Sequence, residues 1–143
     1  MKRFRFRLQR VLDIREQIRD ELRQELALRN QELAQHVRLL NELEEEFLRT
    51  GLREGGIVTA GELVMTGAYS ARVKQLIVDQ AVRVEQAKVA VAEAQERYIQ
   101  ANKDAKAIEM LKDKKREQYN EEVLKEEGNQ LDELAIQRAS AKQ

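Results

Sequence analysis

The residues that could carry chemistry are few and scattered. His36 is the only histidine and there is no cysteine, so the nitrogen and sulfur donors of a zinc site cannot be assembled, and thiolate nucleophiles and disulfides are ruled out. Carboxylates are plentiful, and Glu42, Glu44, Glu45 and Glu46 crowd together. A working acid and base pair, however, needs a concave, partly dry pocket to separate two titrations. No glycine-rich phosphate loop and no nucleophile-base set is present. His36, beside Leu33 and Val37, reads as a tolerated position flanking an apolar stripe. The glutamate run reads as a solvated helix face, with a partner contact as the alternative, and Met65, Met110 and the tyrosines read as packing residues. The expectation is a protein that is not an enzyme and has no metal and no cofactor.

The elements that would position these side chains are legible. Val73, Ile77, Gln80, Val84, Ala87, Val91, Ala94, Tyr98, Ala101, Ala105 and Ile108 follow one another in steps of four and three without a slip. That is the 3.5-residue period of a coiled-coil seam, held for five heptads. Such a helix needs a partner, and residues upstream supply one: Phe4, Leu8, Val11/Leu12, Ile18, Leu22, Leu26, Leu33, Val37, Leu40, Leu43 and Phe47 form a stripe interrupted by Arg15 and Arg29, long side chains that can carry their charge outward. Steps of four prevail near its start, which predicts looser packing there.

Composition agrees. Among 143 residues there is no proline, 36% are charged and only 4% are aromatic, which favours uninterrupted helix over a layered core. No apolar run follows the basic start as in a signal peptide, and none approaches a membrane span; the reading is cytoplasmic. Five of six glycines lie between Gly51 and Gly67, where helices are expected to end. The prediction is therefore an all-α, long antiparallel two-helix coiled-coil hairpin, one domain over 1–143. Its first helix spans about 4–50, its turn about 51–67 and its second helix about 69–138. Thr59-Ala60-Gly61-Glu62 has capping-box spacing and should start a helical piece within the turn; whether that piece joins the second helix depends on Gly67.

Facing Phe47 to Val73 sets the rest of the register: Leu40 meets Gln80, Leu26 meets Ala94, Val11 meets Ile108 or Glu109, and Phe4 meets Arg116. Residues from about 120 onward form a C-terminal helical overhang on which Leu131, Leu134 and Ile136 have nothing to cover them. Charge is banded at this end. Lys2, Arg3, Arg5, Arg7, Arg10 and Arg15 oppose only Asp13, a net +5 over 1–15; six basic residues oppose Asp104, Glu109 and Asp113 over 103–116, a net +3; seven acidic residues oppose Lys125 over 117–134, a net −6. Arginines at a helix N-terminus oppose its dipole, and several local rules broken together mark a candidate functional region. A solvated, frayed terminus and a patch docking into an acidic or polar-lined partner are both open readings. A nucleic-acid contact is disfavoured by the zero net charge and by the acidic band alongside. A contact of Phe4, Phe6 and the arginines with anionic lipid is a further alternative.

Phe4-Arg5-Phe6-Arg7-Leu8-Gln9-Arg10-Val11-Leu12-Asp13-Ile14-Arg15 resembles the opening of the flagellar FliJ family. Gly55-Gly56-Ile57-Val58-Thr59-Ala60-Gly61-Glu62-Leu63 is similar to that family's turn, and Tyr69 followed by Val73, Ile77 and Gln80 to its second-helix start. Ile108 to Tyr119, then Leu131-Asp132-Glu133-Leu134-Ala135, is similar to its C-terminal pattern. The resemblance implies a non-enzymatic part of the flagellar type III export apparatus, folded like the central stalk of rotary ATPases. It implies binding to the hexameric export ATPase FliI, contact with the export gate protein FlhA, escort of export chaperones, and FliH among further candidate partners. The chain would then sit in the cytoplasm, peripherally at the inner face of the plasma membrane.

By position, the resemblance puts the ATPase-ring contact on Phe4, Arg5, Arg7, Arg10, Leu131, Asp132 and Glu133. It puts the gate contact on His36, Leu40, Leu43, Phe47, Tyr69, Val73, Leu76 and Gln80, of which Leu76, beside the seam, is best placed for exposure. The equivalent stalk of an injectisome and a general coiled-coil chaperone of export substrates are the alternatives.

Overall fold

A computed structural model describes residues 3–54 and 59–142. Nearly all of them lie in two helices, α1 (Gln9–Glu54) and α2 (Ala60–Ala141), with no strand among the described residues. Gly55, Gly56, Ile57 and Val58 of the expected turn lie outside the described residues.

The boundaries differ from the sequence expectation in three places, each with a local cause. α1 starts at Gln9, not near Phe4. From Arg3 to Leu8, exposed and half-buried residues alternate one by one, the period of extended chain. Phe4, Phe6 and Leu8 turn inward while Arg3, Arg5 and Arg7 turn outward. No residue of capping type precedes Gln9, and the arginines there would oppose a helix dipole. The Gln9 amide instead closes a turn on the Phe6 carbonyl at 3.1 Å.

The second correction is the turn, which is much shorter than 51–67. α2 begins at Ala60 because the capping box forms: the Glu62 amide donates to Thr59 Oγ1 at 3.2 Å, and the Thr59 amide donates back to Glu62 Oε2 at 3.4 Å. The piece from Thr59 thus joins the second helix. Third, Gly51, Gly61, Gly67 and Gly128 all lie within helices and end none of them. None of these glycines has a positive φ, and a Cβ added at any would meet no atom within 4 Å. A helical glycine costs roughly 0.8–1 kcal/mol relative to alanine, which a long packed helix absorbs. Gly67→Ala and Gly128→Ala are therefore expected to stabilise the fold by about 0.5–1 kcal/mol each, read as a rise in the chemical-denaturation midpoint.

The chain divides into two compact units, Asp20–Ile99 and Met1–Arg19 with Gln100–Gln143. In the first, α1 and α2 run antiparallel. Arg97 donates to Glu25 at 2.9 Å, Gln80 reaches His36, and the Tyr69 hydroxyl donates to Glu46 at 3.1 Å. Arg23 lies over the Tyr98 ring at 5.8 Å. In the second unit Arg15 pairs with Asp104 at 3.7 Å, and the N-terminal segment packs on α2.

All eleven seam positions from Val73 to Ile108 are buried or half-buried. Ala94 and Ala105 are the tightest, at 1% and 0% exposure. The α1 side is more regular than its apolar stripe suggested. Leu12, Arg15, Arg19, Leu22, Leu26, Arg29, Leu33, His36, Leu40, Leu43, Phe47 and Thr50 keep steps of three and four throughout. Ile18 is exposed, and Arg19, half-buried, holds the seam position that the apolar stripe had assigned to Ile18. Thr50 is buried, its hydroxyl donating to the Glu46 carbonyl at 2.9 Å.

Gln80 is the polar residue at the centre of this packing, 2% exposed. Its amide donates to the His36 carbonyl at 3.0 Å and lies 3.1 Å from His36 Nδ1. The contact requires the imidazole to carry its proton on Nε2, leaving Nδ1 to accept. Gln80 was expected opposite Leu40; its reach is to His36, one helical turn earlier on α1. A polar pair in a seam fixes register at a cost in stability. Gln80→Leu is thus expected to raise the thermal midpoint while loosening register, seen as broader disulfide cross-linking between cysteines introduced along α1 and α2.

Candidate functional site

With no catalytic set in the sequence, the candidate sites are surfaces. In the unit formed by residues 1–19 and 100–143, the extended N-terminal segment lies against α2. The Phe4 ring packs on Tyr119 with centroids 5.5 Å apart, and the Arg116 guanidinium sits over the same Phe4 ring at 5.4 Å. The expected meeting of Phe4 with Arg116 is present. Beside it is an open groove of about 620 Å³ lined by Phe4, Phe6, Leu8, Leu111 and Tyr119 together with Arg5, Arg7, Lys115, Gln118 and Glu122. Three cationic side chains against one carboxylate, beside apolar ones, suit an apolar anchor presented among acidic groups.

The expected ring-contact residues separate into two groups. Phe4 is half-buried, and Arg5, Arg7 and Arg10 are exposed around it. Leu131, Asp132 and Glu133 are also exposed, but Leu131 lies twelve residues beyond Tyr119 on α2, about 18 Å along the helix. One compact body therefore holds both groups, but not as one contiguous patch. Around Leu131 the apolar surface is open: Leu124, Leu131, Leu134 and Ile136 are 68%, 67%, 52% and 66% exposed. Among the described residues nothing covers Leu131, Leu134 and Ile136, as the sequence anticipated.

The expected gate-contact residues all lie in the other unit and divide by burial. Phe47, Tyr69 and Leu76 are exposed; His36, Leu40 and Leu43 are half-buried; Val73 and Gln80 are buried in the helix-helix seam. The last two can shape a surface there without being touched. Tyr69 is held by its hydrogen bond to Glu46, which gives one member of the acidic run a structural task. Glu46 also pairs with Arg49 at 3.2 Å.

Sequence reasoning left Phe6 out of the apolar stripe and missed the alternating burial of residues 3–8. The signal was there in Phe-x-Phe-x-Leu, a period of two at the edge of a period of 3.5. Among the described residues, no group of three His, Cys, Asp or Glu could hold a metal ion, and no helix is long and apolar enough to cross a membrane.

Comparison with known proteins gives one match. A family model described as "Flagellar FliJ protein" matches residues 4–143, nearly the whole chain. Neither the curated proteins nor the solved structures yield a match.

Proposed function

This chain belongs to the flagellar FliJ protein family and is a flagellar export-related protein; on that premise we propose that it is the non-enzymatic partner of the export ATPase. In this reading it works as a stalk at the centre of the FliI hexamer, promotes the ring's assembly and activity, and couples the ring to the export gate FlhA. It also escorts export chaperones. The observation that carries the reading is the unit made of residues 1–19 and 100–143. There Phe4 packs on Tyr119 with Arg116 over its ring, exposed arginines flank it, and open leucines follow on α2.

A side chain held in place before binding loses less conformational freedom on docking, so the Phe4 packing pre-organises the arginines next to it. An asymmetric element inside a ring presents different contacts to different subunits. It therefore favours the closed state in some of them by its differential affinity for the two states. No bond is made or broken by this chain. The gate contact falls to the other unit, on Phe47, Tyr69 and Leu76, with Val73 and Gln80 beneath. In this reading the protein sits at the inner face of the plasma membrane through its partners.

Purified protein added to FliI is expected to raise both hydrolysis and the hexamer fraction. No change in either at several-fold molar excess would sink the proposal.

A further inference from the structure

The side of α2 that faces away from α1 carries a second seam. Val78, Val82, Val89, Ala92 and Ile99, with Glu85 and Glu96 between them, follow one another in steps of four and three from 78 to 99. This is the same 3.5-residue period as the buried seam, displaced to the opposite face. The four large members are open to solvent: Val78, Val82, Val89 and Ile99 are 52%, 53%, 57% and 44% exposed. The first half of the stripe forms a shallow apolar groove in which Ala81 joins the valines.

A solvated helix face has no reason to look like this. β-Branched residues are poorer helix formers than alanine by some tenths of a kcal/mol each, and with no packing in return the stripe is a net local cost. A straight helix drifts about 20° per heptad against a strict seven-residue repeat. A stripe that holds the repeat for three heptads is therefore laid out for a helix that supercoils with α2.

Charge identifies the kind of helix. Glu85 and Glu96 stand in the stripe, and Asp79 and Glu93 follow one edge, against Lys88, which is already paired with Glu85 at 3.2 Å. A second copy of this chain is a poor occupant. Parallel pairing sets Glu85 on Glu85, and antiparallel pairing with Val89 on Ala92 sets Glu85 on Glu96. We propose that this face binds an amphipathic helix of another protein, with a heptad-spaced apolar stripe and lysines or arginines about eleven residues apart to meet Glu85 and Glu96. The face is distinct from the ring-contact surface and from the seam-lining residues assigned to the gate, so it does not depend on either assignment.

The test uses the full chain and two synthetic helices of about four heptads. They share one isoleucine and leucine stripe and carry either lysine or glutamate at the positions facing 85 and 96. Fluorescence anisotropy is expected to show saturable binding of the lysine peptide and at least tenfold weaker binding of the glutamate peptide. Val82→Lys with Val89→Lys should weaken the lysine peptide by tenfold or more with an unchanged helical circular dichroism spectrum. Glu85→Lys with Glu96→Lys should reverse the preference between the peptides. Equal binding of both peptides, no binding of either, or indifference to the valine substitutions would overturn the proposal. So would sedimentation showing a dimer of the full chain that Val82→Lys dissolves, since the occupant would then be a second copy.

Discussion

Replacing Arg5, Arg7 and Arg10 together by glutamate is expected to lower the affinity for FliI by about a hundredfold and to remove stimulation of its hydrolysis. Each arginine is exposed, and the loss of a favourable charge contact at about 1 kcal/mol apiece compounds to that ratio. The same substitutions should leave the fold as stable as before, or more stable. α1 has no acidic residue in its first turn, and Arg10 lies within that turn, where a carboxylate is favoured over a cation by about 0.3–1 kcal/mol. A binding defect combined with an unchanged or higher thermal midpoint separates a contact role from a structural one. Titration calorimetry with FliI and a circular dichroism melt of the free chain give the two numbers.

The second large effect is structural. Ala94→Asp should unfold the unit between Asp20 and Ile99, at a cost of about 3–5 kcal/mol, since the new carboxylate is stripped of water with no partner supplied. Ala94 is 1% exposed and faces α1. Set against the 5–15 kcal/mol by which ordinary domains are stable, that is a large share for a fold with one seam as its core. Val82→Asp, twelve residues away on the outer face, should cost within about 0.5 kcal/mol. Loss of helical signal at 25 °C in the first variant and its retention in the second would show that the seam, rather than α2 as such, holds the structure.

The two substitutions differ because one face of α2 is packed and the other is not, and much of that was legible in advance. The seam from Val73 to Ile108 could be read because valine, isoleucine and alanine recur at one unbroken period, and packing against a parallel or antiparallel helix leaves little choice about which face turns inward. The α1 side was read less well because Arg19, His36 and Thr50 occupy seam positions. A pattern built from apolar residues jumped to Ile18 and read the irregularity as loose packing. The burial of Arg19 and Thr50 depends on where their stems and hydroxyls can go, which hydrophobic spacing does not encode.

The glycines misled for a related reason. Gly51, Gly61 and Gly67 can end a helix, but the reciprocal hydrogen bonds of Thr59 and Glu62 start the next one earlier, and nothing after that compels a stop. Phe4 against Arg116 followed from register arithmetic alone. The extended run of residues 3–8 did not, because a period of two over six residues is brief beside a seam of five heptads. Of the candidate contacts, the sequence placed the exposed arginines and the uncovered Leu131, Leu134 and Ile136. It also set Val73 and Gln80 in the seam and Leu76 beside it, as they are found; the exposure of Phe47, which lay on the apolar stripe, was not legible.

The most direct test is whether FliI holds the unit of residues 1–19 and 100–143. The chain has no cysteine, so single cysteines at Arg7, Asp132 and Leu76, each carrying a photo-activated cross-linker, report one position at a time in the complex with the FliI hexamer. Strong cross-links to FliI are expected from positions 7 and 132, and little from 76. Cross-links from 76 with none from 7 or 132 would contradict this.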